Sequence, residues 1–295
     1  MNTTNKLLDS ELILNKDGSV YHINLRPEHI APTVLLVGDQ GRVAQISRHF
    51  DKIEYKIQKR EFITHTGTYK GKRITALSTG IGTDNIDIVV NELDAAVNID
   101  LNTRQLKEDR TSLNLIRIGT SGALHPDIPV GSFVASEFGL GFEGLIYYYN
   151  YEFNALEREL TDQVVEQLKW NPHLSTPYIT QGSKRLLELL GKDTMVKGIT
   201  ATASGFYGPQ GRALYLQPSD QLLNEKLTSF GHKDHRITNF EMETSALYGL
   251  GSMLGHDCCT CCAIIANRTI KDYSKDAKAV VEGLIETVLD RLAAE

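Results

Sequence analysis

Short apolar runs alternate along this chain with stretches whose apolar residues recur every three to four positions, and that alternation sets the expected fold. Thr33 to Val37 is a β-branched and leucine run that stops at Gly38, and Arg42 to Phe50 then takes helical spacing. The ordered part therefore opens as strand, loop and helix, near His22. Further strands are expected at Arg73 to Ser78, Asn114 to Ile118, Gly131 to Ser136, Val196 to Thr202 and Cys258 to Ala266. Helical patterns lie between them, at Asn85 to Asn98, Gly182 to Leu190, Glu243 to Leu254 and Lys275 to Ala294. Strands that alternate with helices, some strands being consecutive, predict an α/β fold with a mixed central β-sheet flanked by helices.

Residues 1–20 are polar and weakly patterned and are expected to form an N-terminal arm, leaving one domain over 21–295. Two segments look inserted. Asn102 to Ser112 is charged and reads as an exposed connection, while Ala155 to Trp170 sets apolar residues at helical spacing among dense charge and reads as a helical insertion. No Pro, Gly or Ser-rich linker flanks either, and no internal repeat is present.

Composition narrows the classes. A net charge of −6, with Lys and Arg scattered among the acids, gives no field for a nucleic-acid backbone or an anionic membrane. No apolar run reaches the roughly 20 residues of a membrane span, and the polar first ten residues lack a signal-peptide core, so a cytoplasmic location is expected. All four cysteines lie in Cys258-Cys259-Thr260-Cys261-Cys262. Neighbouring strand residues face opposite sides, so these thiols do not converge on one ion and are expected to be buried structural groups, with no metal site.

Four segments carry candidate chemistry. Phe206-Tyr207-Gly208-Pro209-Gln210-Gly211-Arg212 brings together an aromatic face, a turn, an amide and a guanidinium. Phe206 can stack on a flat ring while Gln210 and Arg212 read its carbonyl and imide edge; the segment is equally readable as a surface turn. Gly38-Asp39-Gln40-Gly41-Arg42 joins a strand to a helix and can aim amides at an anion. Arg117-Ile118-Gly119-Thr120-Ser121-Gly122 reads likewise, as a strand that ends in Arg before small residues turn the chain. For both, the alternative is a glycine turn with a surface ion pair. Arg60 is a third candidate cation, and three guanidiniums suit phosphate. No nucleotide-binding glycine motif of either common kind occurs. Asn239-Phe240-Glu241-Met242-Glu243 opens a helix, where a carboxylate either clamps vicinal hydroxyls or caps the helix; the two acids, flanking Met242, cannot share a direction.

Together these segments resemble the nucleoside phosphorylase superfamily of the trimeric and hexameric kind, most closely its uridine phosphorylase branch. The resemblance runs from about His22 to Leu292 and is carried by His22 in VYHINL, GDQGR, REF at Arg60 to Phe62, STGIGTDN, RIGTSGAL, FYGPQGR, NFEMETSA and IIANRT. It implies a distorted, barrel-like mixed sheet among helices, and phosphorolysis of uridine or deoxyuridine to uracil and a pentose 1-phosphate. Phosphate would be held by Gly38, Arg42, Arg117 and Thr120, with Arg60 from a neighbouring subunit. Met242 and Glu243 would hold the ribose hydroxyls, and the neighbour's His22 the 5′-hydroxyl. Phe206, Gln210 and Arg212 would take the base, with Ile265 packing nearby and Arg268 supporting Arg212. Arg212, Glu243 and Arg117 would be the catalytic residues.

The resemblance also implies a homohexamer with shared sites, a place in pyrimidine salvage or nucleoside catabolism, and no cofactor beyond inorganic phosphate as co-substrate. Departures from the family pattern are Gln40-Gly41 where Pro follows the loop Asp, Pro209 where Gly is commoner before Gln210, and Asn85 where some relatives use Ser for a monovalent cation near Glu61. Asn267-Arg268 stand where purine phosphorylases place an Asp, which favours a pyrimidine. Rival readings are a nucleoside hydrolase on the same scaffold, which needs no phosphate arginines, and a nucleoside-binding regulatory protein without catalysis.

Overall fold

A computed structural model describes residues 6–192 and 194–295. In chain order the elements are β1 (Thr33–Val37), α1 (Gln40–Ser47), β2 (Lys52–Lys59), β3 (Phe62–Tyr69), β4 (Lys72–Ser78), α2 (Thr83–Asn98), β5 (Ile99–Asp100), β6 (Gln105–Leu106), β7 (Asn114–Ala123) and β8 (Phe133–Gly141). After these come α3 (Ala155–Gln167), β9 (Tyr178–Gln181), α4 (Lys184–Leu190), β10 (Met195–Thr202), α5 (Leu223–Ser229), β11 (Gly231–His232), β12 (His235–Glu241), α6 (Thr244–Met253), β13 (Asp257–Asn267), β14 (Asp272–Tyr273) and α7 (Ala277–Ala293).

The main sheet runs β11-β12-β10-β8-β13-β7-β1-β4-β3-β2, and it closes on itself because β12 also pairs with β7. Asn239 and Phe240 lie opposite Ala123 and Gly122 in that antiparallel contact. Strands β7, β13, β8, β10 and β12 thus form a five-stranded mixed barrel within one α/β domain. The expected mixed sheet with flanking helices is what the chain builds. The hinge of this arrangement is β7, whose first half pairs with β1 and whose last residues pair with β12. Register shifts at Gly198/Ile199, Ile199/Thr200 and Ile264/Ala266 bend the partner strands into the closed shape.

Helices cover the outer faces. Cys259 and Cys261 of β13 and Ile116 and Ile118 of β7 pack with Leu284, Ile285 and Val288 of α7, while Phe138, Leu140, Ile199 and Ala201 pack with Leu160 and Val164 of α3 and Leu227 of α5. The barrel's inner face is polar: Ser136 and Thr200 share a hydrogen bond, Thr200 donates to Asn239 Oδ1 at 2.8 Å, and Asn239 Nδ2 donates to Ser121 Oγ at 2.8 Å. All four are buried, so each polar group is satisfied inside the protein.

Several expectations change. The strand expected to end near Ile118 continues to Ala123, and that expected to end at Ser136 continues to Gly141. The hairpin β2–β3, the short strand β9, the strand β12 and helix α5 are additions to the sequence-based list. The N-terminal arm, over its described residues 6–20, is not a detached tail: Leu12, Ser19 and Val20 are buried, and Leu12 and Val20 join the cluster that holds α2 and α6. Its residues 1–5 lie outside the described ones. The segment from Ala155 to Trp170 holds a helix, Ala155–Gln167, capped by Asn154, whose side chain accepts from Leu156 and Glu157, and Trp170 beyond it stacks on Phe142 at 4.6 Å. The four thiols are free and buried, with Cys259 and Cys261 toward α7 and Cys262 toward Arg117. No helix among the described residues is long and apolar enough to cross a membrane.

Candidate active site

A cavity of about 570 Å³ is walled by residues at or beyond the ends of β1, β12 and β13, by β7 and by the loop after β10. At one end stand Gly38, Arg42, Arg117 and Thr120; Met242 and Glu243 lie against the barrel mouth; Phe206, Gln210, Arg212, Ile265 and Arg268 also line it.

Arg42 is placed by the β1–α1 loop. Asp39 caps α1 by accepting the Gly41 N–H at 2.8 Å, and the Arg42 side chain in the first turn donates from Nη1 to the Ile118 carbonyl at 3.0 Å. Burial, and then the neighbouring Arg117 cation, lower its affinity for its proton. Arg42 forms no ion pair among the described residues, so its charge is available to an anion.

Arg117 sits in the middle of β7, not at its end, and its side chain lies inside the barrel. The small residues after it do not turn the chain; they make room. A Cβ on Gly119 would stand 1.9 Å from Arg117 Nη1, and one on Gly122 would stand 2.8 Å from Arg268 Nε. The guanidinium reaches Glu241 at 3.3 Å, bonds Glu243 directly and touches Cys262 Sγ at 3.7 Å. Burial opposes its charge, but Glu243 and Glu241 outweigh burial and hold it firmly protonated. The Glu243 carboxyl is itself pushed up by burial against the pull of Arg117, with Glu241 adding to the rise.

Contrary to the expectation that they point apart, both acids reach the Arg117 guanidinium, but they divide their work. Glu241 accepts the N–H groups of Glu243 and Thr244 and the Thr202 hydroxyl at 2.8 to 3.1 Å, and so caps α6. Glu243 accepts the Gly82 N–H at 2.8 Å as well as Arg117, and its carboxylate lines the cavity. The loop that carries Phe206 and Arg212 is organised around Gln210, whose Oε1 accepts from Arg212 Nη1 at 2.8 Å and from Arg268. Arg268 also donates to the Gln210 carbonyl at 2.8 Å, and the Arg212 guanidinium lies 3.8 Å from the Phe206 ring centroid. With Oε1 engaged twice, Gln210 presents its amide N–H groups. Burial, then Arg212, push Arg268 down to about 9, and its Nε has no partner. Arg268 thus contacts Gln210 and, through it, Arg212.

His22 and Arg60 do not line this cavity. They share a separate patch: the Arg60 guanidinium is 5.5 Å from the Tyr21 ring centroid, and the His22 ring meets Tyr21 edge-on at 4.8 Å. Near Glu61, the Ser78 hydroxyl is already used, accepting from Ile63 and donating to the Glu61 carbonyl, both at 2.7 Å. Among the described residues, the one cluster of His, Cys, Asp or Glu with metal-ligand spacing is His49, Glu282 and Glu286, which excludes Glu61.

Two wall residues, Ile81 and Tyr273, had no role in the sequence reading, nor did Gly82, which does not line the cavity but whose main-chain N–H holds Glu243. Ile81 had a signal, an apolar residue in a glycine-rich loop, exposed before a helix. A neighbouring cavity of about 760 Å³ shares Arg212, but Phe142, Trp170, Leu174 and Tyr215 make it largely apolar, so the convergent charged groups belong to the smaller one.

Arginines at both ends, a carboxylate between them and an aromatic face make a site for a ligand with an anion, hydroxyls and a flat ring. The chain belongs to the phosphorylase superfamily, which matches it over residues 32–293. It is similar to the uridine phosphorylase of Thermococcus kodakarensis, 32% identical over 278 residues that span 92% of this chain and 85% of that protein. The uridine phosphorylase of Treponema pallidum is 28% identical over 238 residues, 79% of this chain and 76% of its own. Among solved structures, a Trypanosoma brucei nucleoside phosphorylase described as showing uridine phosphorylase activity superimposes with a TM-score of 0.86 at 29% identity, over 96% of this chain and all of that one.

Proposed function

We propose that this protein is a pyrimidine-nucleoside phosphorylase, a pentosyltransferase that reversibly converts uridine and phosphate to uracil and ribose 1-phosphate. The observation that carries the reading is the convergence of Arg42, Arg117 and Thr120 with Glu243 and the Phe206–Gln210–Arg212 set in one cavity.

Cleavage of an N-glycosidic bond builds positive charge on the sugar and negative charge on the departing base. Phosphate, held by Gly38, Arg42, Arg117 and Thr120, serves as nucleophile and as counter-charge to the sugar. Glu243, oriented by Gly82 and Arg117, accepts from the ribose hydroxyls against Met242, and fixed hydroxyls bring the anomeric carbon onto the phosphate. Gln210 and Arg212 donate to the base carbonyls and stabilise the developing anion, while Arg268 supplies a second, poorly compensated cation behind them. Phe206 covers the ring and Ile265 packs below it.

A pyrimidine is favoured because Asn267 has no group to spare for a purine's imidazole nitrogen. Its Nδ2 donates to the carbonyls of His125 and Ile128, and its Oδ1 accepts from Thr269 and Ile270. His22 and Arg60, joined through Tyr21 on one face, are supplied to a neighbouring subunit's site, there meeting the 5′-hydroxyl and the phosphate. The assembly is a homo-oligomer, a hexamer of three dimers, working in the cytoplasm in pyrimidine salvage or nucleoside breakdown. Inorganic phosphate is the co-substrate, and the reaction as drawn uses no organic cofactor, metal or cation at Glu61.

Incubating the purified protein with uridine, with and without phosphate, and following free uracil tests the reading. Uracil appearing only with phosphate supports it. Release without phosphate identifies a hydrolase, and binding without release a regulatory protein.

A further inference from the structure

The patch that holds His22 contains a carboxylate that the reaction does not otherwise use. Glu92, on α2, accepts the main-chain N–H of His22 at 2.9 Å on Oε1 and 2.8 Å on Oε2, and the N–H of Ile23 at 2.8 Å on Oε2. Its Oε1 also lies 2.6 Å from His22 Nδ1. One side chain therefore fixes both the main chain and the ring of the same residue. An ionised carboxylate only accepts, so Nδ1 must be the protonated nitrogen of the ring, and neutral His22 is left with Nε2 as a bare acceptor. Both side chains are mostly buried, at 28% and 16% exposure, and the Tyr21 ring stands against the imidazole edge. The same geometry by which a second carboxylate orients a metal-binding histidine is here applied to a hydroxyl-binding one.

We propose that Glu92 is the positioning residue of His22: it selects the tautomer whose Nε2 accepts the hydrogen of the substrate's 5′-hydroxyl, and so makes the site discriminate for that hydroxyl. The inference rests on the proposed placing of His22 in a neighbouring subunit's cavity. A residue that merely anchored the N-terminal segment would affect all substrates alike, whereas one acting through His22 affects only those with a 5′-hydroxyl.

The test is the ratio of kcat/KM for uridine to that for 5′-deoxyuridine, measured in the full-length wild type, His22→Ala, Glu92→Gln, Glu92→Ala and the double variant His22→Ala/Glu92→Gln. Glu92→Gln keeps the side-chain shape should Glu92→Ala fold poorly. The ratio is expected to fall about tenfold in His22→Ala and in Glu92→Gln, the size of one hydrogen bond, with no further fall in the double variant. A ratio that falls in His22→Ala but holds in Glu92→Gln overturns the role of Glu92 while leaving that of His22. A ratio indifferent to His22→Ala overturns the placing of His22 and the inference with it. Equal losses for both substrates in Glu92→Gln, with a lower thermal midpoint, make Glu92 a structural anchor and overturn the proposal.

Discussion

Arg117 is buried within the barrel among Glu241, Glu243 and Cys262, each of them fixed by a strand or by the first turn of α6. Phe206, which faces the same cavity, is 51% exposed, and the chain beyond it leaves Leu214, Tyr215 and Leu216 at 74%, 80% or more. One side of the site is thus set by closed sheet geometry, and the other rides on a loop held through a single glutamine. The contrast separates two demands: attack on the anomeric carbon needs fixed positions, while choice of base needs a surface that admits and releases a ring.

If that division is right, substitutions at the two sides differ in kind. Arg117→Ala leaves two buried carboxylates without their shared cation and is expected to cost about 3–5 kcal/mol of stability along with activity, read from the denaturation midpoint. A variant as stable as the parent would mean that the acids are neutral in the fold, and the contrast fails. Arg212→Ala removes the proposed donor to the departing base and should lower turnover by roughly two to three orders of magnitude, or about 3 kcal/mol of barrier. Its denaturation curve should stay within about 0.5 kcal/mol of the parent, since a partly buried side chain on a surface loop contributes little to folding. Gly119→Ala pushes a methyl into the space of Arg117 and is expected to destabilise by about 1–3 kcal/mol and raise the KM for phosphate; an unaffected KM would show that Arg117 can shift without harm. Smallest, Phe206→Ala should raise the KM for uridine about fivefold, by losing a stacking contact of about 1 kcal/mol, while the KM for phosphate stays put. A change in both would mean that the two sides are not separable.

The outer layers of the fold were legible because burial against helices writes apolar runs: β1, β4 and β13 and helices α2, α6 and α7 lie close to their expected places. The barrel's inner face was not. In β12, inward Asn239 and Glu241 replace the apolar alternation that marks a half-buried strand, so Asn239 to Glu241 read as the opening of the helix that follows. Beyond Ile118, Gly119 and Gly122 read as turn residues because glycine's commonest use is a turn, whereas here they clear space for arginine side chains, that of Arg117 on the same strand and that of Arg268 from just past the far end of β13. Edge strand β2 hid behind its charges, one side of it being solvated. Of the site, the cavity gathers Arg42, Arg117, Arg212 and Glu243 as the motifs suggested, yet the Glu92–His22 contact spans 70 residues and joins segments with no local pattern.

The hydroxyl and amide belt running from Ser136 through Thr200 and Asn239 to Ser121 bears on how the molecule reaches its final shape. Its links bridge 64, 39 and 118 residues, so none can be made by nearby chain alone. Sliding any one strand by a single position would turn a hydrogen-bonding group outward against greasy helices and draw a hydrocarbon inward. Such long-distance closure slows the search for the native state, and in return leaves very few wrong alignments in which the search can end.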